Sequence, residues 1–572
     1  MKSRTLIAGT TLLLILLTAC TTKKNLSLDE EVEESTGISI SPDVPTTLPG
    51  GGDNTSLSQA AEFAWNQFIA LNWPAVAQTG AKGTRDTPNP NSKFGDQSGP
   101  LVWHTFRSKV ELYPWTTHLP PGTTIQDQAL VFNYDASPEY FYQSTVPPCN
   151  GSPGAPVAYV NLDEISQIGL NFMFNGFEGN SGFPASNASD PSLIRFLAKS
   201  NRTYSDYINN KGYFNHGSNG KDVGYFQAVT NFTNAIASNV AADTSQVVNF
   251  PVGTIMVKSG WRLLSNAEVA SGDFHTTTVR YYERKNDQPC YYQQDAVWGM
   301  VALHIVQKTP GAPSFTFATF EYENNIKSYD GQAVEGPAGQ MNIPPGGLGG
   351  NPINPPVSHT DTPQQTTTTA NGSFAQPANN PRLFFKNSVA GLPQAPGGNG
   401  GINVNYRRNQ IPQAIINVNQ QAQSLINTYN TNNNIQNSPW ANYKLVNIQF
   451  QPFDKSEIND SNPNRLTSTY RQANIMVETN YTLQEFSGRQ TSDGQTSDYT
   501  TEGQPVKNIH QLNLGRNAYN TFNMGGCMGC HGNAQLGGSD FSFTLLEGPV
   551  IEPEAPTFTE EQIAALRKKY KF

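Results

Sequence analysis

An α+β fold is the class this sequence predicts, and three observations predict it. Between residues 252 and 322, stretches rich in β-branched and aromatic residues alternate with turn signals. Segments with apolar residues at helical spacing lie before and after them. Charged residues make up only 14% of the 572, while Asn, Gln, Thr, Gly and Pro are abundant, a balance that suits an exported, loop-rich chain. The expectation is a large β-rich domain with interspersed helices, followed by a helical C-terminal segment.

The elements follow in order. Residues 1–19 read as a signal peptide: Lys2 and Arg4 give a charged start, and Leu6 to Leu17 is an apolar run too short for a comfortable membrane span. Leu17-Thr18-Ala19-Cys20 resembles a bacterial lipobox, which makes Cys20 the expected lipidation site and a lipid anchor the expected membrane contact. Residues 20–55 read as the lipidated Cys and a flexible tether rich in Ser, Thr, Pro and Gly. An α+β domain is expected over 56–335. It opens with a helix capped by Ser56 or Ser58 and running to Asn72, with Ala61, Trp65 and Phe68 on one face and Pro74 beyond its end. Ser192 to Tyr207 and Tyr225 to Ala242 are expected helices. Val252 to Leu264, Thr276 to Glu283, Val297 to Val306 and Phe315 to Tyr322 are expected strands.

Residues 336–400 are rich in Pro, Gly, Asn and Thr and read as a long surface excursion. The α+β domain is expected to continue over 401–509, with a helix at Pro412 to Tyr429 and a strand at Lys444 to Phe450. Residues 510–572 form the last segment. It holds a short expected helix at Gly515 to Phe522, a loop around Ser539-Asp540-Phe541-Ser542-Phe543, and a closing helix from Thr559 with acidic residues at its start and Lys at its end.

The last segment carries the chemistry. Cys527-Met528-Gly529-Cys530-His531 is C-x-x-C-H, the attachment pattern of a covalent c-type haem. Two thiols at that spacing add to the two vinyl groups, and the adjacent imidazole lies under the iron as proximal ligand. With 5 Cys and 8 His in the chain, a chance match arises in roughly one such chain per thousand. A structural zinc site wants four ligands, and no second Cys or His pair stands near. A thioredoxin-like dithiol wants a strand before the motif, and the Asn- and Gly-rich residues before Cys527 show none. One covalent haem c is therefore expected, held by Cys527, Cys530 and His531. Export and haem attachment agree, since c-type haems are attached outside the cytoplasm. In such a compartment the remaining Cys149 and Cys290 are most simply one disulfide.

The haem segment resembles a shortened cytochrome c, with one departure. Class I cytochromes c supply a Met downstream of the motif as second axial ligand, and residues 532–572 contain neither Met nor His. More widely, Trp65-Asn66-Gln67-Phe68, Lys258-Ser259-Gly260-Trp261-Arg262, Leu303-His304-Ile305-Val306-Gln307 and Ala473-Asn474-Ile475-Met476-Val477 resemble a functionally uncharacterised group of exported cytochrome c-like bacterial proteins. The resemblance implies one integrated architecture ending in the haem motif, and no substrate.

A second axial ligand must then come from upstream. Met476, His510 and His304 lead the candidates, with Met300, Met341, Met256 and His275 behind them. A filled sixth position makes an electron carrier. An open one makes a peroxidase- or oxidase-like haem enzyme needing a distal acid–base group, for which His304, Arg262 and Glu321 stand first. A third expectation is a surface ligand-binding module with an accessory haem. The leading expectation is electron transfer in the periplasm or at the outer membrane or cell surface, with an unspecified redox partner. The net charge of −9 and the lack of a basic patch make nucleic acid an unexpected partner.

Overall fold

The computed structural model describes residues 37–342, 410–476 and 521–555 except for 114–132, 165–193 and a few shorter stretches, together with strand residues 385–386, 393–394 and 505–507. Its helices are α1 (Leu57–Leu71), α2 (Lys109–Leu112), α3 (Arg202–Lys211), α4 (Val223–Ala237), α5 (Asn266–Ser271), α6 (Gln413–Asn433), α7 (Thr467–Tyr470), α8 (Gly526–Leu536) and α9 (Phe543–Glu547). Its strands are β1 (Arg107–Ser108), β2 (Val160–Leu162), β3 (Arg195–Ser200), β4 (Ile255–Leu263), β5 (Val279–Lys285), β6 (Gln288–Gln293), β7 (Trp298–Thr309), β8 (Ala312–Tyr322), β9 (Phe385–Lys386), β10 (Pro393–Gln394), β11 (Tyr443–Gln449), β12 (Pro505–Lys507) and β13 (Thr521–Asn523). The fold class is α+β. Its centre is a six-stranded antiparallel sheet ordered β1-β3-β4-β7-β8-β11, beside a smaller sheet ordered β2-β5-β6.

The long strands are buried on both faces. All twelve residues of β7 are buried, which is why its sequence reads as a nearly continuous apolar run and not as a clean alternation. One face is covered by α1 and α6. Ser56 caps α1 by accepting a hydrogen bond from the Gln59 amide, and Gln59 returns one to Ser56. Trp65 and Phe68 then lie on Phe320 of β8, with ring centroids 5.0 and 4.4 Å away. Asn419 of α6 accepts from the Trp65 indole and donates to the Leu445 carbonyl of β11, which satisfies polar groups inside an apolar layer. The opposite face carries a second apolar cluster of Met256, Val306, Phe315 and Phe317 from the sheet with Tyr204, Tyr225, Cys527, Met528 and Phe541.

Four expectations need correction. Residues 37–55 are not a loose tether: Leu48 is fully buried, Asn66 accepts from the Ser39 amide, and the Pro45 carbonyl accepts from Gln307. Within the helix expected from Ser192 to Tyr207, the described residues from 194 onward do not form one helix. Arg195–Ser200 pair with β4, and Asn201 caps a helix that starts only at Arg202; a short apolar run fits either period, and here the neighbouring strand decides it. Strand β6 went unread because Pro and Cys interrupt its pattern. Thr521 and Phe522, the end of the helix expected at Gly515 to Phe522, lie in the strand Thr521–Asn523. Residues 443–449, far along the chain, pair with β8 in the same sheet as 255–322. The closing helix expected from Thr559 lies outside the described residues. Cys149 and Cys290 form the expected disulfide, tying residues ahead of β2 to β6.

Candidate functional site

The C-x-x-C-H motif forms the first turns of α8 and lies against the second face of the large sheet. Gly526 starts the helix with φ +64°. A Cβ there would lie 2.6 Å from Gln449 Nε2 and 2.8 Å from the Tyr470 carbonyl, so only glycine permits this approach. Gln449 on β11 then acts as the cap that Gly525 cannot supply: its Oε1 accepts from the Met528 amide at 2.8 Å. Cys527 and Cys530 are buried and not bridged by a disulfide. Contrary to the sequence reading, a short strand, β13, does precede the motif, though it pairs antiparallel with β12 and not within a βαβ unit.

His531 is oriented by the loop after the helix. Its Nδ1 lies 2.7 Å from the Phe541 carbonyl, and since a carbonyl only accepts, Nδ1 carries the proton. Nε2 is left with its lone pair. The loop is held firmly. Asp540 and Phe541 have φ of +44° and +66°, unusual for residues with side chains. The Asp540 carboxylate accepts from Lys308 Nζ at 2.7 Å and from the Phe250 amide at 2.8 Å. Ser539 and Ser542 are joined to the hydroxyls of Tyr225 and Tyr204 at 2.6 and 2.9 Å. The stretch Ser539 to Phe543 reads from sequence as a loop, without its duty. A signal was present in Lys308, a charged residue at the end of a buried strand.

Facing α8, one register row of the sheet runs Ala198, Lys258, His304, Thr319 and Asn447 across five strands. His304 is buried, its Nδ1 is 2.8 Å from Thr319 Oγ1, and its ring centroid is 6.1 Å from that of His531. Phe317 and Phe543 flank His531 at 5.0 and 5.2 Å. Burial pushes the His531 imidazole down to about 4 and that of His304 to about 3, so both are neutral at pH 7. Lys258 Nζ is buried 4.3 Å from the Phe196 ring and has no hydrogen-bond partner among the described residues. Burial lowers its pKa, and Glu164 is the largest opposing influence.

Of the other sequence candidates, Met476 and Met256 lie on the same face of the sheet as His304. Met476 is buried with its sulfur 3.4 Å from the Cβ position of Gly260, beside Phe196 and Ile194. Met256 shares the apolar cluster of Cys527, whereas Met300 and Met341 belong to the opposite one. Arg262 is engaged by Glu268 at 2.5 and 3.0 Å, and Glu321 accepts from the Ile475 amide, so neither is poised as a distal acid–base group. His510 and Cys20 lie outside the described residues. Among the described residues, no group of three or more His, Cys, Asp and Glu is placed to hold a bare metal ion.

A second cluster lines a cavity of about 460 Å³ bordered by Leu101, Tyr159, Thr276 and Trp440. Here His104 and His275 approach Nε2 to Nε2 at 3.3 Å. The Leu101 amide donates to His104 Nδ1, so His104 carries its proton on Nε2 and donates it to His275. Comparison with family models, with curated proteins and with solved structures returns no match, so the functional reading rests on the site itself.

The residues around His531 suit a haem. Both thiols and the imidazole emerge from one helix. The imidazole is held in the tautomer that frees Nε2 for iron, the arrangement that orients metal-ligating histidines generally. The partnerless Lys258 ammonium suits a buried carboxylate such as a haem propionate.

Proposed function

We propose that this protein is an exported, lipid-anchored c-type cytochrome that transfers single electrons. The observation that carries the reading is the C-x-x-C-H helix with its histidine fixed through Nδ1 by the Phe541 carbonyl. Cys527 and Cys530 would hold the haem covalently, His531 would ligate the iron, and Lys258 would neutralise a propionate. Bound haem supplies a one-electron iron couple. The protein's own work is to hold the proximal ring still, to exclude water with Phe317, Phe541 and Phe543, and to keep the imidazole neutral by burial. The Cys149–Cys290 disulfide supports an oxidising compartment. No helix among the described residues is long and apolar enough to cross a membrane; the anchor is assigned to Cys20.

The test is expression in cells competent for cytochrome c maturation. Haem should stay on the chain through denaturing electrophoresis, and be lost in Cys527→Ser, Cys530→Ser double variants. A haem-free product in such cells overturns the reading. Metabolic labelling with palmitate tests the anchor, with Cys20→Ala expected to be unlabelled. One observation favours a second reading, a reactive dithiol: Cys527 lies in the first turn of a helix that follows a strand, a placement that acidifies thiols. That reading predicts a haem-free protein whose thiols alkylate rapidly below pH 7.

A further inference from the structure

We infer that His304 is the second axial ligand of the iron held by His531. The inference rests on the haem reading above and deepens it, since it decides between an electron carrier and an open-site enzyme. Three independent observations converge on His304. The first is spacing. Two imidazoles sharing one metal on a straight axis, each about 2 Å from it, have ring centroids about 6 Å apart. The His304 and His531 centroids are 6.1 Å apart, with ring planes 32° from parallel. The second is tautomer. The Nδ1 of His531 is spent on the Phe541 carbonyl, and that of His304 is engaged by Thr319 Oγ1, a hydroxyl able to accept its proton. Neither Nε2 has a hydrogen bond among the described residues; that of His531 presents a lone pair, and that of His304 does so with Thr319 Oγ1 accepting from Nδ1. The third is rigidity. His304 sits at the middle of β7, hydrogen-bonded on both sides to β4 and β8, where its backbone cannot swing away.

The rival ligands are less well placed. Met476 packs on Gly260 toward β3, with its sulfur among Ile194 and Phe196. Lys258 shares the register row, but its ammonium has no group to orient it and must lose a proton before it can ligate. Because the second ligand comes from the sheet, 227 residues before His531 in sequence (531 less 304), the large domain becomes half of the haem site.

The experiment uses the full-length haem-loaded protein. The reduced wild type should give a low-spin spectrum that carbon monoxide leaves unchanged, and the oxidised protein should show the electron-spin-resonance and near-infrared signatures of two imidazole ligands. His304→Ala should become high-spin and bind carbon monoxide, with added imidazole restoring the low-spin spectrum. His304→Met should raise the midpoint potential. Met476→Leu should leave every one of these readouts as in the wild type. Rapid carbon monoxide binding by the wild type, a methionine–histidine signature, or an unaltered spectrum in His304→Ala overturns the inference while leaving the haem reading intact. If His304→Ala does not accumulate, the wild-type spectra alone decide. Absence of haem sinks both.

Discussion

Two histidine pairs lie in different layers of this molecule, and they are wired in opposite senses. His104 and His275 are hydrogen-bonded to each other through Nε2. The Leu101 amide fixes their tautomers, so neither Nε2 is available to a metal without breaking that bond. His531 and His304 are tied back to the protein through Nδ1 and stand 6.1 Å apart with both Nε2 atoms unspent. The first pair is an internally satisfied polar contact beside a cavity. The second is a pair of imidazoles with ring centroids 6.1 Å apart, proposed above as iron ligands. Proximity alone therefore misleads, because the closer pair is the poorer metal site, and what discriminates is which nitrogen the rest of the fold has already used.

Substitutions in the two layers should separate the two pairs. Replacing His531 by Ala should abolish the native haem spectrum, whereas His275→Gln should leave it unchanged; loss of the spectrum in the second variant would break the contrast. Lys308→Met strands the buried Asp540 carboxylate beneath the loop that orients His531. It should cost about 3–5 kcal/mol in denaturant unfolding. Phe68→Ala, on the opposite face, should cost a similar ~3–5 kcal/mol but without altering the spectrum, since its stacking partner Phe320 faces away from α8. Gly526→Ala forces a Cβ into Gln449 and Tyr470 at a left-handed φ. It should lower stability by about 1–3 kcal/mol and disturb haem attachment. The smallest effect is on pH dependence. Burial holds His275 at about 3, below its unfolded value near 6.5. The unfolded chain thus binds more protons between those values, and this group's stabilisation, full above 6.5, is lost as pH falls toward 3. His275→Gln should flatten that part of the acid-unfolding profile, and an unchanged slope would count against the buried neutral pair.

Much of one layer was legible in the sequence and less of the other. Helix α1 announced itself through Ser56, the Trp65 and Phe68 stripe and Pro74, because local capping and periodicity suffice there. Strands β4, β5, β7 and β8 declared themselves by β-branched and aromatic runs. The motif at Cys527, Cys530 and His531 was visible because covalent chemistry fixes its spacing. The rest depends on register, which no local pattern encodes. His304 was one name among several until β4, β7 and β8 set Lys258, His304 and Thr319 in a row. The Phe541 carbonyl was invisible because backbone atoms leave no mark in a sequence.

The burial of the two thiols implies a sequence of events in time. Cys527 and Cys530 retain only 3% and 7% of their exposure once α8 is seated on the sheet. Cysteines so enclosed offer little surface to an attachment enzyme. If haem is joined to this chain, the joining is expected before α8 docks. Protein refolded first and offered haem and the maturation machinery afterwards should stay unmodified, and efficient late attachment would show that α8 readily lifts away.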